Sequence, residues 1–297
     1  MKTAIRKHPI IVMLVSLLFA FILMSNYHLW HFIDNVEMQR IVPRYVIGVV
    51  CLAIMYVVLR KECLGWKKNS GREGLKIAVC MLLCAVFALT DQILQSTMVI
   101  KSTWIRLAVY DFILCIGVGL FEETLMRGIV LNGCIKLLPK NKGGLYIAVA
   151  ISSALFGVAH LLGLQMGSDY HTWQVIGYMV GKVLITGIAG LVFATIYLKT
   201  KNIWSCAILH GIYDFILFSG DYWISFAAHK KVSPDEMIMK NGLLIGCAII
   251  VCIINVAIAI RVLKKLDPQD CIMWKDEIHK PSEYIVDKFN EIEGYRG

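Results

Sequence analysis

Residues 104–135 read WIRLAVYDFILCIGVGLFEETLMRGIVLNGCI. A helix needs ~20 residues to cross a ~30 Å hydrocarbon core, and this run is longer than that. Only helices and closed barrels can cross, because every backbone group must be bonded within the protein. Working outward from this stretch, apolar runs recur along the whole chain. They predict spans near 10–32, 45–59, 75–97, 104–135, 145–165, 173–198, 203–219 and 242–262. The expectation is an all-α polytopic membrane protein of about eight transmembrane helices. Composition agrees, with 58% of the 297 residues hydrophobic and 17% charged, whereas soluble domains run near a quarter charged.

The formal charge of +9 comes from Lys and Arg residues scattered between apolar runs. They form no single basic face, which argues against a nucleic-acid partner. Orientation in a bilayer explains them better. With the N-terminus inside, sixteen basic residues fall on the cytoplasmic side and seven opposite, so the positive-inside rule puts both termini in the cytoplasm. Lys2, Arg6 and Lys7 precede an apolar stretch from Ile10 to Met24. No A-x-A-like site follows, so an uncleaved first span is expected rather than a signal peptide. The ten cysteines include no C-x-x-C and mostly sit in apolar runs, where they read as small packing residues. Gly177 and Gly181 form a G-x-x-x-G continued by Gly187 and Gly190, a pattern that lets a neighbouring helix come close.

Charges in mid-membrane are costly and must face a protein or water-lined interior. The fourth span holds three: Glu122, Glu123 and Arg127. At ~100° per residue, Glu123 and Arg127 lie ~40° apart one turn along, in the order that suits an ion pair. Glu122 points ~140° away from Arg127. Glu123 is therefore expected to be neutralised by Arg127, and Glu122 to be the desolvated carboxylate that suits a general base. The fifth span carries Phe156 and His160 at i, i+4, and the seventh carries His210 and Asp214 at i, i+4. Such groups singly are ordinary interhelical hydrogen bonders. Counted from the cytoplasmic ends, Glu122, His160 and Asp214 reach a similar depth of ~20–23 Å, and His210 is shallower at ~14 Å.

The ordered set E-E-x-x-x-R, F-x-x-x-H and H-x-x-x-D on three spans resembles the CPBP family. These are intramembrane proteases related to CAAX prenyl endopeptidases and to bacteriocin-processing and immunity proteins, and the resemblance covers roughly residues 112–218. It implies a catalytic cluster on helices 4, 5 and 7. Glu122 and His160 would activate water, His210 and residue 214 would stabilise an oxyanion, and Glu123, Arg127 and Phe156 would support the site. The last motif position here is Asp214, where Asn is common. An ionised carboxylate cannot donate to an oxyanion, so Asp214 would orient His210 or bind a metal. Glu122, His160, His210 and Asp214 could make a Zn²⁺ set, although no H-E-x-x-H occurs.

The expected organisation is N-terminal spans over 1–103, a protease-like core over 104–219, an external loop and last span over 220–262, and a polar cytoplasmic tail over 263–297. Asp91, Gln92, Gln95, Asp111 and Lys182 are further polar groups within spans. They read as helix-to-helix partners, with cavity lining as the alternative. Asp169, His171 and His229 fall in external loops. The implied activity is peptide-bond hydrolysis of a membrane protein or peptide, and compact loops with Lys- and Ile-rich usage suit a bacterial plasma membrane. The competing readings are a non-catalytic immunity or scaffold protein and a secondary transporter, the latter lacking the paired broken helices of that class.

Overall fold

The computed structural model describes residues 2–59, 64, 67–162, 172–222, 224–229 and 234–274. Among them, a short amphipathic turn, α1 (Lys2–Lys7), leads into α2 (Pro9–Ser25), α3 (Val36–Val58) and α4 (Ser70–Gln95). The fourth span is α5 (Trp104–Glu123) running straight through a π-helical segment (Thr124–Leu131) into α6 (Asn132–Leu137). Then come α7 (Lys142–Ala159), α8 (Thr172–Thr200), α9 (Ile203–Tyr222) and α10 (Pro234–Lys265). Six of these helical runs are long and apolar enough to cross a membrane, and α2 and α9 are shorter apolar helices. The protein is a helical, polytopic membrane protein. Outside its helices, β1 (Ser96–Ile100) and β2 (Ile224–His229) form one antiparallel ladder, with Ile100 opposite Ile224.

Several helices depart from the expected ends: α2 stops at Ser25, short of 32, and α10 begins at Pro234, ahead of 242. α3 begins nine residues before the expected span, capped by the Asn35 side chain accepting from Met38 N. Pro43 lies inside this helix, past its first turn, where it removes the i→i−4 bond that an N–H would make to Gln39 O. α7 stops at Ala159, where His160 N turns back to Gly157 O at 3.2 Å. Apolar side chains such as Leu14, Leu83, Ile105 and Ile253 stay well exposed on the helix flanks, as expected for faces turned to lipid.

Close helix approaches set the register around the polar groups. A Cβ on Gly119 of α5 would lie 2.2 Å from Ala207 O, and one on Gly211 of α9 would lie 2.9 Å from Cys115 O. Only glycine allows these backbones to meet, and the contact sets His210, beside Gly211, against Glu122 and Glu123 on α5. Tyr45 of α3 donates to Ile113 O of α5 at 2.9 Å. Gly157 packs on α8, where its Cβ would be 2.5 Å from Val183 O. The expected Gly177–Gly181 packing face is not formed: a Cβ at either meets open space among the described residues, whereas one on Gly190 would meet the Phe156 ring at 3.1 Å.

At the opposite end of the bundle, residues 267–274 fold back against the helices. Trp274 is 1% exposed and donates from Nε1 to Arg6 O at 3.1 Å, while Lys136 donates to the same carbonyl. Arg6 Nε in turn donates to Val57 O at 2.9 Å. The nine described cysteines are free. Burial pushes the Cys271 thiol up from its ordinary value, which fits inert packing.

Candidate functional site

The site is built on the junction where α5 passes into the π segment. A π turn is a recurrent marker of functional positions, and here three side-chain contacts stabilise it. Thr124 Oγ1 donates to Leu120 O at 2.7 Å, Ser152 Oγ of α7 donates to Met126 O at 3.2 Å, and Asn132 Nδ2 donates to Arg127 O at 2.7 Å. Asn132 Nδ2 also lies 3.0 Å from Tyr197 Oη.

Glu123 and Arg127 form the expected pair, with Nε 3.1 Å from Oε2 and side chains 0% and 1% exposed. The guanidinium lies 4.4 Å over the Phe156 ring and donates from Nη2 to Gly190 O at 3.0 Å. Glu123 has a second task that the sequence does not reveal. Its Oε1 is 2.7 Å from His210 Nδ1, so this carboxylate bridges Arg127 to the catalytic-candidate imidazole. Orientation of His210 was expected from Asp214, and the structure gives that work to Glu123 because the Gly119–Gly211 approach sets α9 against the end of α5. Phe193 of α8 completes the seat, stacked on the His210 ring at 4.5 Å and 15°.

The other face of the cluster is open. His160 Nδ1 lies 2.8 Å from Phe156 O. A carbonyl only accepts, so Nδ1 carries a proton, and Nε2 is the ring nitrogen turned to the cluster. That Nε2 is 3.9 Å from Glu122 Oε2, and His210 Nε2 is 3.8 Å from the same oxygen and 3.5 Å from Asp214 Oδ2. These gaps exceed direct hydrogen bonds and suit a bridging atom. Glu122 and His160 side chains keep 19% and 26% exposure against 0% for Glu123. That difference gives the first two access to water and denies it to the third.

All seven candidate residues, Glu122, Glu123, Arg127, Phe156, His160, His210 and Asp214, thus meet in one cluster despite the shallower depth expected for His210. The donor types are those zinc accepts, but among the described residues no three His, Cys, Asp or Glu stand in metal-holding geometry. As placed, the cluster does not fit a closed metal set.

The cluster forms one end of a cavity of about 1150 Å³. Further along, Arg40, Arg44, Asp111, Tyr178, Lys182 and Phe218 line it. Asp111 and Lys182 were expected as interhelical partners; both border this cavity, and Asp111 accepts from Cys115 Sγ at 3.5 Å. The side chains of Asp91, Gln92, Gln95 and His229 and the loop residues Asp169 and His171 lie outside the described residues. Sequence reading missed Phe193, Asn132, Tyr197, Arg40 and Arg44. Arg40 and Arg44 carried no usable signal, since they stand with Glu37, Gln39 and Pro43 just before the apolar run.

The fold and site define a polytopic helical membrane protein with two carboxylates and two imidazoles facing a cavity inside the bundle. Residues 102–216 match the family model for the Rce1-like type II CAAX prenyl endopeptidases. That segment is similar to the Rce1-like family, consistent with a CPBP intramembrane protease. All four cavity-facing candidates fall inside the matched segment. No curated protein matches the chain.

Proposed function

We propose that this protein is an intramembrane endopeptidase that cleaves membrane proteins or peptides with a glutamate-activated water. The observation that carries the reading is Glu122 Oε2 facing two imidazole Nε2 atoms at 3.8 and 3.9 Å inside a cavity. A water held there can hydrogen-bond through one O–H to Glu122 and through the other to the His160 Nε2 lone pair, leaving its oxygen lone pair for the substrate carbonyl carbon. As that carbon becomes tetrahedral, Glu122 takes the proton of the attacking water. His210, protonated on both nitrogens, donates Nδ1–H to Glu123 and Nε2–H to the oxyanion. Collapse breaks the C–N bond, and Glu122 passes its proton to the leaving amine.

In this scheme Glu123, Arg127 and Phe193 fix the ring of His210, and Asp214 stands 3.5 Å from its Nε2, beside the oxyanion position. The site works in a low-dielectric setting, where aligned donors act more strongly than in water. The sixteen-to-seven division of basic residues supports both termini in the cytoplasm. The test is Glu122→Gln in the full-length protein, followed by comparison of the membrane proteome with and without active protein. Substrates should accumulate uncleaved in the variant. A proteome identical in both states would support the immunity or scaffold reading.

A further inference from the structure

The segment that carries Trp274 packs against one end of the bundle, and its Met273 reaches further in than packing requires. Met273 is 6% exposed, and its Sδ accepts from Tyr197 Oη at 3.9 Å. The same hydroxyl accepts from Asn132 Nδ2 at 3.0 Å. Asn132 Nδ2 also donates to Arg127 O at 2.7 Å and to Gly128 O at 3.1 Å, both carbonyls of the π segment. Exchanging the oxygen and nitrogen of this amide would set an acceptor against those carbonyls, so its orientation is fixed. From Arg127 the contacts run on through the ion pair to Glu123, and from Glu123 to His210 Nδ1. One line thus joins Met273, Tyr197, Asn132, Arg127, Glu123 and His210. Its middle members are buried, where a lost donor is not replaced by water.

Contiguity alone does not couple two places; an element with two arrangements between them does. The π segment Thr124–Leu131 is such an element, because its i→i+5 bonds can fall back to the i→i+4 bonds of the α-helices on either side. One residue occupies about 100° of an α-helix, so that fall-back turns Arg127 about the axis relative to Glu123, which precedes the segment. Asn132 stands where the segment ends. Its backbone N–H, the i+5 donor for Arg127 O, bonds Ile129 O instead, and its side chain stands in on Arg127 O.

We propose that Asn132 and Tyr197 are positioning residues of the candidate site, and that Met273 completes the chain of donors holding the π segment in register beside Glu123 and His210. The inference rests on the peptidase reading only for the reaction that His210 then serves. A pure packing role for Met273 predicts something different. Leucine conserves apolar volume and is ordinarily tolerated, whereas a buried glutamine is ordinarily penalised. If the sulfur acts as an acceptor the order reverses, since Gln keeps an acceptor at similar reach and Leu has none.

The experiment uses full-length protein in detergent micelles, isotope-labelled on its histidine rings. The readout is the NMR signal of the His210 Nδ1–H proton in its bond to Glu123, assigned by its disappearance in His210→Asn. Tyr197→Phe and Met273→Leu should each shift this signal upfield, and Met273→Gln should return it. Combining Tyr197→Phe with Met273→Leu should shift it no further than Tyr197→Phe alone, because the links act in series. Hydrolysis of the membrane protein that accumulates with Glu122→Gln gives a second readout, in which kcat should fall about fivefold in either single variant while KM holds. An unshifted signal in Tyr197→Phe overturns the proposal, as do additive shifts in the combined variant or cleavage at the parent rate despite a shifted signal. A parent-like Met273→Leu beside a perturbed Met273→Gln also overturns it, and this pair decides alone if Tyr197→Phe does not fold. If the signal responds as described but the parent cleaves nothing, the positioning stands and the peptidase reading fails.

Discussion

Glu122 and Glu123 are adjacent, identical in type and opposite in consequence, so replacing each by Gln tests the division between them. In Glu123→Gln the change removes the counter-charge of Arg127, whose side chain is 1% exposed, and weakens the 2.7 Å contact to His210 Nδ1. Breaking a buried pair by removing one partner costs roughly 3–5 kcal/mol. Arg127 keeps Gly190 O and the Phe156 ring, so the lower end, about 3 kcal/mol, is expected. That is a large share of a typical ~5–15 kcal/mol total. Glu122→Gln removes the same charge from a side chain that is 19% exposed and makes no direct hydrogen bond through Oε2 among the described residues. Its stability cost should stay under about 1 kcal/mol. Thermal melting and size-exclusion yield of detergent-solubilised full-length protein give the stability arm, and cleavage in proteoliposomes gives the activity arm. Glu123→Gln should melt lower and yield less, with residual cleavage per folded molecule. Glu122→Gln should melt normally and cleave nothing. Equal behaviour of the two variants in both arms refutes the reasoning.

Asp214→Asn should keep or raise cleavage, because an amide can donate to the oxyanion where a carboxylate cannot, and chelator should leave the parent active. Stoichiometric zinc lost from that variant together with activity would reverse this assignment. Gly119→Ala inserts a methyl 2.2 Å from Ala207 O, which should push α9 from α5, part His210 from Glu123 and lower both melting temperature and activity. Unchanged values would show that the approach is not what seats His210. Reporter fusions after Lys7 and after Gly297 should both read as cytoplasmic, and an extracytoplasmic signal from either would reject the charge-based orientation.

The apolar runs made the helices legible, and the i, i+4 spacings made the local pairs legible, because both depend on neighbours in sequence. Errors arose where a tertiary partner changed the meaning of a residue. Pro43 and Arg44 look like a loop before a span, yet they belong to α3 because the arginine side chain borders a cavity and need not enter lipid. Gly177 and Gly181 look like a packing face, yet Gly157 and Gly190 take that role between α7 and α8. The contact of Glu123 with His210 spans 87 residues of chain, and no spacing rule connects them. The π segment at 124–131 went unread as well; Thr124 and Asn132 sustain it through contacts within the same helical run, and Ser152 of α7 adds one that only the fold creates.

The seat of Trp274 on the Arg6 carbonyl joins groups 268 residues apart. During synthesis at ~5–20 residues per second, the start of the chain waits about 13 to 54 s before that partner exists. For this interval the first helices sit in the bilayer with that end of the bundle unclosed, and the bundle stays open to rearrangement. The segment around Trp274 thus acts as a clasp, closed only once it meets the turn that carries Arg6.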